Sequence, residues 1–254
     1  MKCCVLASGS KGNVSYISTN QTKILIDVGM SATYIANSLE ELHVDPSQID
    51  AIILTHTHSD HINGLRVFLK KYHPTLYLTK KMFLDVKDIL VLGEYYIIDG
   101  DFSIQDIEIT SIKTSHDASD SNGYILKNGN KSIVYITDTG YIHVKHHPLL
   151  QNHNYYIMES NHDVRMLMDG KYPYHLKQRI VGDRGHLSNK ASADYLSNFI
   201  GENTEGVILI HLSAENNDPE VAVQTLTEVL TEHHQELNKI IVSKQNQATE
   251  LIEV

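Results

Sequence analysis

The stretch "LTHTHSDHING", Leu54 to Gly64, sets His56, His58, Asp60 and His61 within six consecutive positions. Imidazole is the commonest metal ligand, and a carboxylate is the natural oxygen donor beside it. His56 and His58, two apart, can converge on one ion. Asp60 and His61 can address a second ion across the turn. Four such residues in H-x-H-x-D-H are too densely spaced for a polar loop with chance histidines. Paired divalent ions about 3.5–4 Å apart lower the pKa of a bound water from 15.7 to around 7 and neutralise charge on a phosphoryl or acyl oxygen. Hydrolysis is therefore the expected reaction, and this spacing leaves the substrate open.

Rigid elements must hold such a turn. The apolar run "AIILT" reads as a buried strand ending at Thr55, and Asp60 and His61 open a helix expected over 60–71, with Ile62, Leu65, Phe68 and Leu69 at helical spacing. Further strands are expected in "KCCVLA", "VSYIS", "KILID", "LYLT", "FSIQDIEITSIKT", "GYILKN", "SIVYIT", "NYYIMES", "GVILIHLS" and "KIIVS", with a hairpin at "KNGNKS". A second helix runs from Ser188 as cap to Ile200 and stops at Gly201. A third has Asp218 as cap and Pro219 in first position. Many strands with helices in both halves suggest an α/β protein with sheets between helix layers. No repeat, low-complexity tract or linker divides the chain, so residues 1–254 read as a single domain.

The 254 residues are 41% hydrophobic and 20% charged, enough for a packed core, and no apolar run approaches the roughly 18 residues of a membrane span. The N-terminal "MKCCVLASGSKGN" reads as a first strand, not as a signal peptide. Two adjacent cysteines, Cys3 and Cys4, offer neither a disulfide framework nor paired zinc ligands; buried strand positions in a reducing cytoplasm are expected. A formal charge of −10 argues against a broad nucleic-acid surface, so a polyanion must meet a local patch. Between 164 and 190, Arg165, Lys171, Lys177, Arg179, Arg184 and Lys190 stand against Asp169 and Asp183, with Tyr172 and Tyr174 among them. Such a stretch can hold phosphates while a base stacks. The "SGSKGN" loop, through Ser10 and Asn13, offers amides to a phosphate and serves equally as a tight turn. His143, His146, His147, His153, His233 and His234 are expected at the surface.

The ligand motif resembles that of the metallo-β-lactamase fold superfamily, and later segments extend the resemblance. Asp27 in "KILIDVG" matches an early strand-end aspartate that orients ligands. His116 in "KTSHDASDSNGY", Asp138 in "SIVYITDTG" and His211 in "GVILIHLSAEN" match the remaining ligands. The resemblance implies a four-layer αβ/βα sandwich of two mixed sheets flanked by helices. It also implies two ions: one on His56, His58 and His116, one on Asp60, His61 and His211, with Asp138 shared. Histidine and aspartate without cysteine suit Zn²⁺ or Mn²⁺.

"MESNHD" and "GDRGHLSN" resemble the tRNase Z-like branch, in which a strand-end glutamate and a histidine protonate a leaving alkoxide; Glu159 and His186 occupy those places. The weaker alternative for His186 is a cap before the helix that starts at Ser188. Candidate catalytic residues are thus Asp60, Glu159 and His186. Across nearly the whole chain, from "LASGSKGN" to "HLSAENNDPEVA", the pattern is similar to the YycJ/WalJ/VicX family of bacterial exonuclease-like proteins. The implied function is a dinuclear metal-dependent phosphodiesterase, a 5′-to-3′ exonuclease acting on DNA 5′ ends, single- or double-stranded, in DNA processing or repair. Alternatives are a small-molecule metallo-hydrolase on a lactone, thioester or cyclic phosphodiester, a tRNase Z-like RNA-processing nuclease, or a scaffold with a vestigial site.

Overall fold

A computed structural model describes residues 1–89 and 93–254. One sheet contains β1 (Lys2–Ala7), β2 (Val14–Ser18), β3 (Lys23–Ile26), β4 (Ala51–Ile53), β5 (Thr75–Thr79) and β6 (Tyr95–Ile98). The other contains β7 (Phe102–Ile104), β8 (Ile107–Lys113), β9 (Asn122–Asn128), β10 (Lys131–Ile136), β11 (Tyr155–Glu159), β12 (Gly206–Ile210) and β13 (Ile240–Val242). A short β14 (Ile252–Glu253) returns to pair with β1, giving the orders β14-β1-β2-β3-β4-β5-β6 and β13-β12-β11-β10-β9-β8-β7. Each sheet is antiparallel over one half and parallel over the other. The helices are α1 (Ala32–Glu41), α2 (Ser59–Ile62), α3 (Leu65–Tyr72), α4 (Lys80–Val86), α5 (Val164–Asp169), α6 (Tyr174–Val181), α7 (Asn189–Phe199) and α8 (Pro219–Glu232).

Strand periodicity sorts the side chains into three apolar slabs. In β1, Cys3 and Val5 join Ile17, Ile24, Ile53, Ile109, Ile133, Ile157 and Ile208 between the sheets, while Cys4 and Leu6 turn outward to Ile35, Leu39 and Phe68 of α1 and α3. In β11 and β12, Tyr156, Met158, Val207 and Leu209 face Leu196, Phe199, Leu226 and Leu230 of α7 and α8. Helix, sheet, sheet and helix therefore stack in four layers, the αβ/βα sandwich of two mixed sheets. Both cysteines are fully buried.

Three expectations needed correction. The helix over 60–71 is two pieces, α2 and α3, because the chain turns at Asn63 and Gly64. Gly64 N donates to Val28 O at 2.8 Å, and a Cβ on Gly64 would lie 2.2 Å from Met30 O, so only glycine lets this turn press against the strand-end loop. "FSIQDIEITSIKT" is also two strands, since Gln105 at φ 49° folds β7 back on β8. His153 lies in the interior at 5% exposure, its Nε2 donating to Leu149 O at 2.8 Å. The caps Ser188 and Asp218 and the hairpin between Asn128 and Lys131 stand where expected. Among the described residues, no helix is long and apolar enough to cross a membrane.

Candidate metal centre and catalytic cleft

Polar residues gather where strands of both sheets end. Asp27 follows β3, His56 and His58 follow β4, His116 follows β8, Asp138 follows β10, Glu159 closes β11 and His211 follows β12. Apolar packing fixes the strands, so the first residues beyond them are held by structure formed elsewhere. Asp27, Asp138 and His211 have φ values of 60°, 50° and 58°, a region that non-glycine residues seldom occupy. At three strand ends the backbone reverses and aims a side chain into one cleft.

Asp27 is the innermost anchor. Its Oδ1 accepts from Thr55 N at 2.8 Å, and Oδ2 accepts from Thr55 Oγ1 and His61 Nδ1 at 2.7 Å each. With His61 Nδ1 so occupied, Nε2 is the ring nitrogen left to face the cleft, 3.2 Å from Asp138 Oδ2. Burial opposes charge on His61, but Asp27 and Asp138 overcome it and raise its pKa to about 10. Gly29 makes this corner possible: a Cβ there would sit 1.7 Å from Asp60 O.

The ligand-type atoms fall into overlapping groups, each mutually within 4.8 Å: His56, His58 and His116; Asp60, His61 and His211; and His56, His61 and Asp138. His116 Nδ1 donates to Gly185 O at 3.2 Å, leaving Nε2 to face His58 Nδ1 at 3.2 Å. His56 Nε2 is buried without a hydrogen-bond partner. Burial, reinforced by neighbouring imidazoles, also holds His56 well below the ordinary histidine range, hence neutral. A neutral, orphaned ring nitrogen among two other imidazoles is an unmet coordination demand, which a divalent cation satisfies. Asp138 lies between the groups, with Oδ1 3.7 Å from His116 Nε2 and Oδ2 near His61. Burial would raise the Asp138 carboxyl, but His211 and His61 hold it well below the usual carboxylate range.

Glu159, fully buried, joins these groups to His186. Its Oε1 accepts from His186 Nδ1 at 2.8 Å and from His211 Nδ1 at 2.9 Å; Oε2 accepts from Thr139 N at 3.0 Å and Leu187 N at 3.1 Å. Burial alone would raise the carboxyl, yet the facing His186 and these bonds bring it to about 2. Glu159, His186, His211 and Asp138 also form a compact group of ligand-type atoms.

Of the residues expected at the substrate, Ser10, Tyr172, Arg179 and Arg184 line the cleft with His58, Asp60, His116, Asp138, His186 and His211. Asn13 is buried instead, and its Nδ2 approaches His61 Nε2 at 3.0 Å. Its side chain also bonds Gly9 N and O, so the "SGSKGN" loop is a turn closed by Asn13. Lys177 Nζ donates to Met168 O and Gly170 O at the end of α5, Arg165 pairs with Asp169 at 3.8 Å, and Lys171 and Tyr174 stay exposed. Sequence reading passed over Asp117, which lines the cleft, and Asn161, whose Nδ2 donates to His211 O at 2.9 Å. Adjacency to His116 was the available signal for Asp117, and its place in "MESNHD", two residues past Glu159, was the one for Asn161.

Residues 22–212 match the β-lactamase superfamily domain. The chain is 38% identical over 238 residues to the exodeoxyribonuclease WalJ of Streptococcus pneumoniae, covering 91% of this chain and 88% of that protein. It is 36% identical over 233 residues to the exodeoxyribonuclease YycJ of Bacillus anthracis, covering 90% and 88%. In fold it is similar to the metallo-β-lactamase fold protein YhfI of Bacillus subtilis, with a TM-score of 0.73 at 17% identity and 98% coverage of each chain. It is likewise similar to the short form of human tRNase Z, with a TM-score of 0.66 at 14% identity, covering 98% and 99%.

Proposed function

Because this chain belongs to the β-lactamase superfamily domain family and, within it, groups with the WalJ and YycJ exodeoxyribonucleases, we propose that it is a metal-dependent phosphodiesterase that degrades DNA from 5′ ends. His56, His58 and His116 hold one divalent cation, Asp60, His61 and His211 a second, and Asp138 serves both. Zn²⁺ and Mn²⁺ both suit this donor set. When bound, the cations supply Lewis acidity toward the phosphodiester and a nucleophile at neutral pH. The whole chain acts as one domain, and the cytoplasm is its proposed compartment.

The observation that carries the phosphodiester reading is the Glu159–His186 pair beside the ligand groups. A leaving alkoxide develops charge as its bond to phosphorus breaks, and a positioned acid is worth about 10²–10⁴-fold. Glu159 Oε1 orients His186 through Nδ1, which leaves Nε2 as the nitrogen that gives the proton. The pinning of Glu159 Oε2 by two backbone N–H groups supports this role, because the orienting carboxylate is itself immobilised. Arg179, Arg184 and Tyr172 along the same cleft suit a phosphate chain with a base stacked beside it.

The test is turnover by purified protein, supplied with Mn²⁺ or Zn²⁺, on DNA and RNA labelled at either end and on lactone and thioester substrates. Mononucleotide release from DNA 5′ ends is expected, and His186→Ala should abolish it while metal content stays at two equivalents. Cleavage of the small molecules alone would sink the nuclease reading, and wild-type turnover by His186→Ala would sink the leaving-group role.

A further inference from the structure

Asp117 is not among the groups that converge on the proposed cation positions, yet its two carboxylate oxygens meet very different surroundings. Oδ2 accepts from Arg179 Nε of α6 at 2.6 Å. Oδ1 is buried with no hydrogen-bond partner, 3.5 Å from His116 Nε2 and 3.8 Å from His58 Nε2. His58 Nδ1 is the nitrogen that faces His116 Nε2. If Nδ1 coordinates, the ring proton must sit on Nε2, beside Asp117 Oδ1. Histidine ligands almost always donate their second N–H to a carboxylate, a carbonyl or water, which fixes the tautomer and strengthens the ligand.

The segment that carries Arg179 is gripped a second time: Arg184 Nε and Nη2 both donate to His116 O at 3.3 Å. Two arginines from 174–184 are thus fastened to residues 116 and 117, and between them α6 places Leu176, Arg179 and Ile180 along the cleft. The Arg179 side chain is 61% exposed, so its N–H groups not engaged by Asp117 remain free for a substrate phosphate.

We propose that Asp117 is a positioning residue linking the two halves of the site: Oδ1 accepts the Nε2–H of His58 once Nδ1 holds a divalent cation, while Oδ2 fixes Arg179 where it meets a phosphate of the scissile strand. Cation affinity and phosphate affinity then share one carboxylate. The inference rests on the reading of His56, His58 and His116 as cation ligands.

Three variants separate the two arms. Asp117→Ala removes both. Asp117→Asn keeps an oxygen for His58 Nε2–H but cannot form the ion pair with Arg179, and Arg179→Met removes only the second arm. Cation affinity is measured by competition with a chromophoric chelator, using Mn²⁺ and Zn²⁺ without DNA, and kcat and KM are then measured at saturating metal on 5′-labelled single-stranded DNA. Asp117→Ala should weaken one of the two cations by about 10–100-fold and raise KM. Asp117→Asn and Arg179→Met should bind metal as the wild type does and share a raised KM with little change in kcat. The proposal is overturned if Asp117→Ala binds both cations normally, if Asp117→Asn loses metal as Asp117→Ala does, or if KM is unmoved in all three. Should Asp117→Ala not fold, the other two variants still decide the phosphate arm, and Asp117→Asn must hold both cations for the metal arm to stand. His56→Ala is the control for the underlying reading: undiminished cation binding there would remove the ligand assignment itself.

Discussion

Glu159→Gln strikes the point where the proposed cation ligands and the proposed proton donor meet. The wild-type carboxylate accepts four hydrogen bonds, from Thr139 N, Leu187 N, His186 Nδ1 and His211 Nδ1. A glutamine keeps one acceptor oxygen. If that oxygen stays with the two backbone N–H groups, the amide NH₂ faces both imidazoles, and each must turn its Nδ1 lone pair toward it. His211 then carries its proton on Nε2, the nitrogen needed for a cation. Two charge-assisted bonds of about 1.5–3 kcal/mol each are lost, roughly 3–6 kcal/mol. Titration gives a similar size: a carboxyl lowered from an ordinary 4.5 to about 2 represents on the order of 3 kcal/mol. For a chain of this size that lowers Tm by roughly 6–12 °C. Because the folded-state pKa is depressed, this contribution is whole above pH 4.5 and disappears as pH falls toward 2, so the variant should also lose the steepest part of the wild-type acid limb. Thermal melts from pH 2 to 7, elemental analysis and turnover on 5′-labelled DNA form the assay. Turnover should fall by about 10²–10⁴-fold, and one cation should weaken by about 10–100-fold. A variant with two metal equivalents, an unchanged acid limb and wild-type turnover would refute the reasoning.

Tyr172→Ala should raise KM on single-stranded DNA, since a stacked base is worth about 1–3 kcal/mol, whereas Arg165→Ala, 91% exposed and outside the cleft lining, should not; equal effects would remove the stacking role. Gly64→Ala forces a Cβ to 2.2 Å from Met30 O and should cost about 1–3 kcal/mol, read as a lower urea midpoint. Burial pushes the thiols of Cys3 and Cys4 up to about 12 and 11, so neither should be alkylated at pH 8 until the chain unfolds; rapid labelling of the native protein, read by mass, would contradict this.

The sequence by itself determined the residue types available as ligands, and the four-layer order was legible only through the family resemblance. H-x-H-x-D-H is local, and runs apolar on both faces, such as "KCCVLA" and "NYYIMES", mark strands covered on both sides, but only the packing shows which face meets the other sheet and which the helices. The capping residues Ser188 and Asp218 were legible because their hydrogen bonds reach only two or three residues ahead. Where a residue's partner is set by how loops fold over one another, local pattern is silent. Asn13 looked like a phosphate-binding loop residue until the fold carried its amide to His61, 48 residues away, and Lys177 looked free until it closed the end of α5. Glu159 and His186 were legible as types, but not the sharing of one carboxylate oxygen between His186 and His211. Only the tertiary structure decided these points, because a histidine's proton position and a carboxylate's charge depend on groups within about 3 Å. Those groups arrive from strands whose pairing no local period specifies.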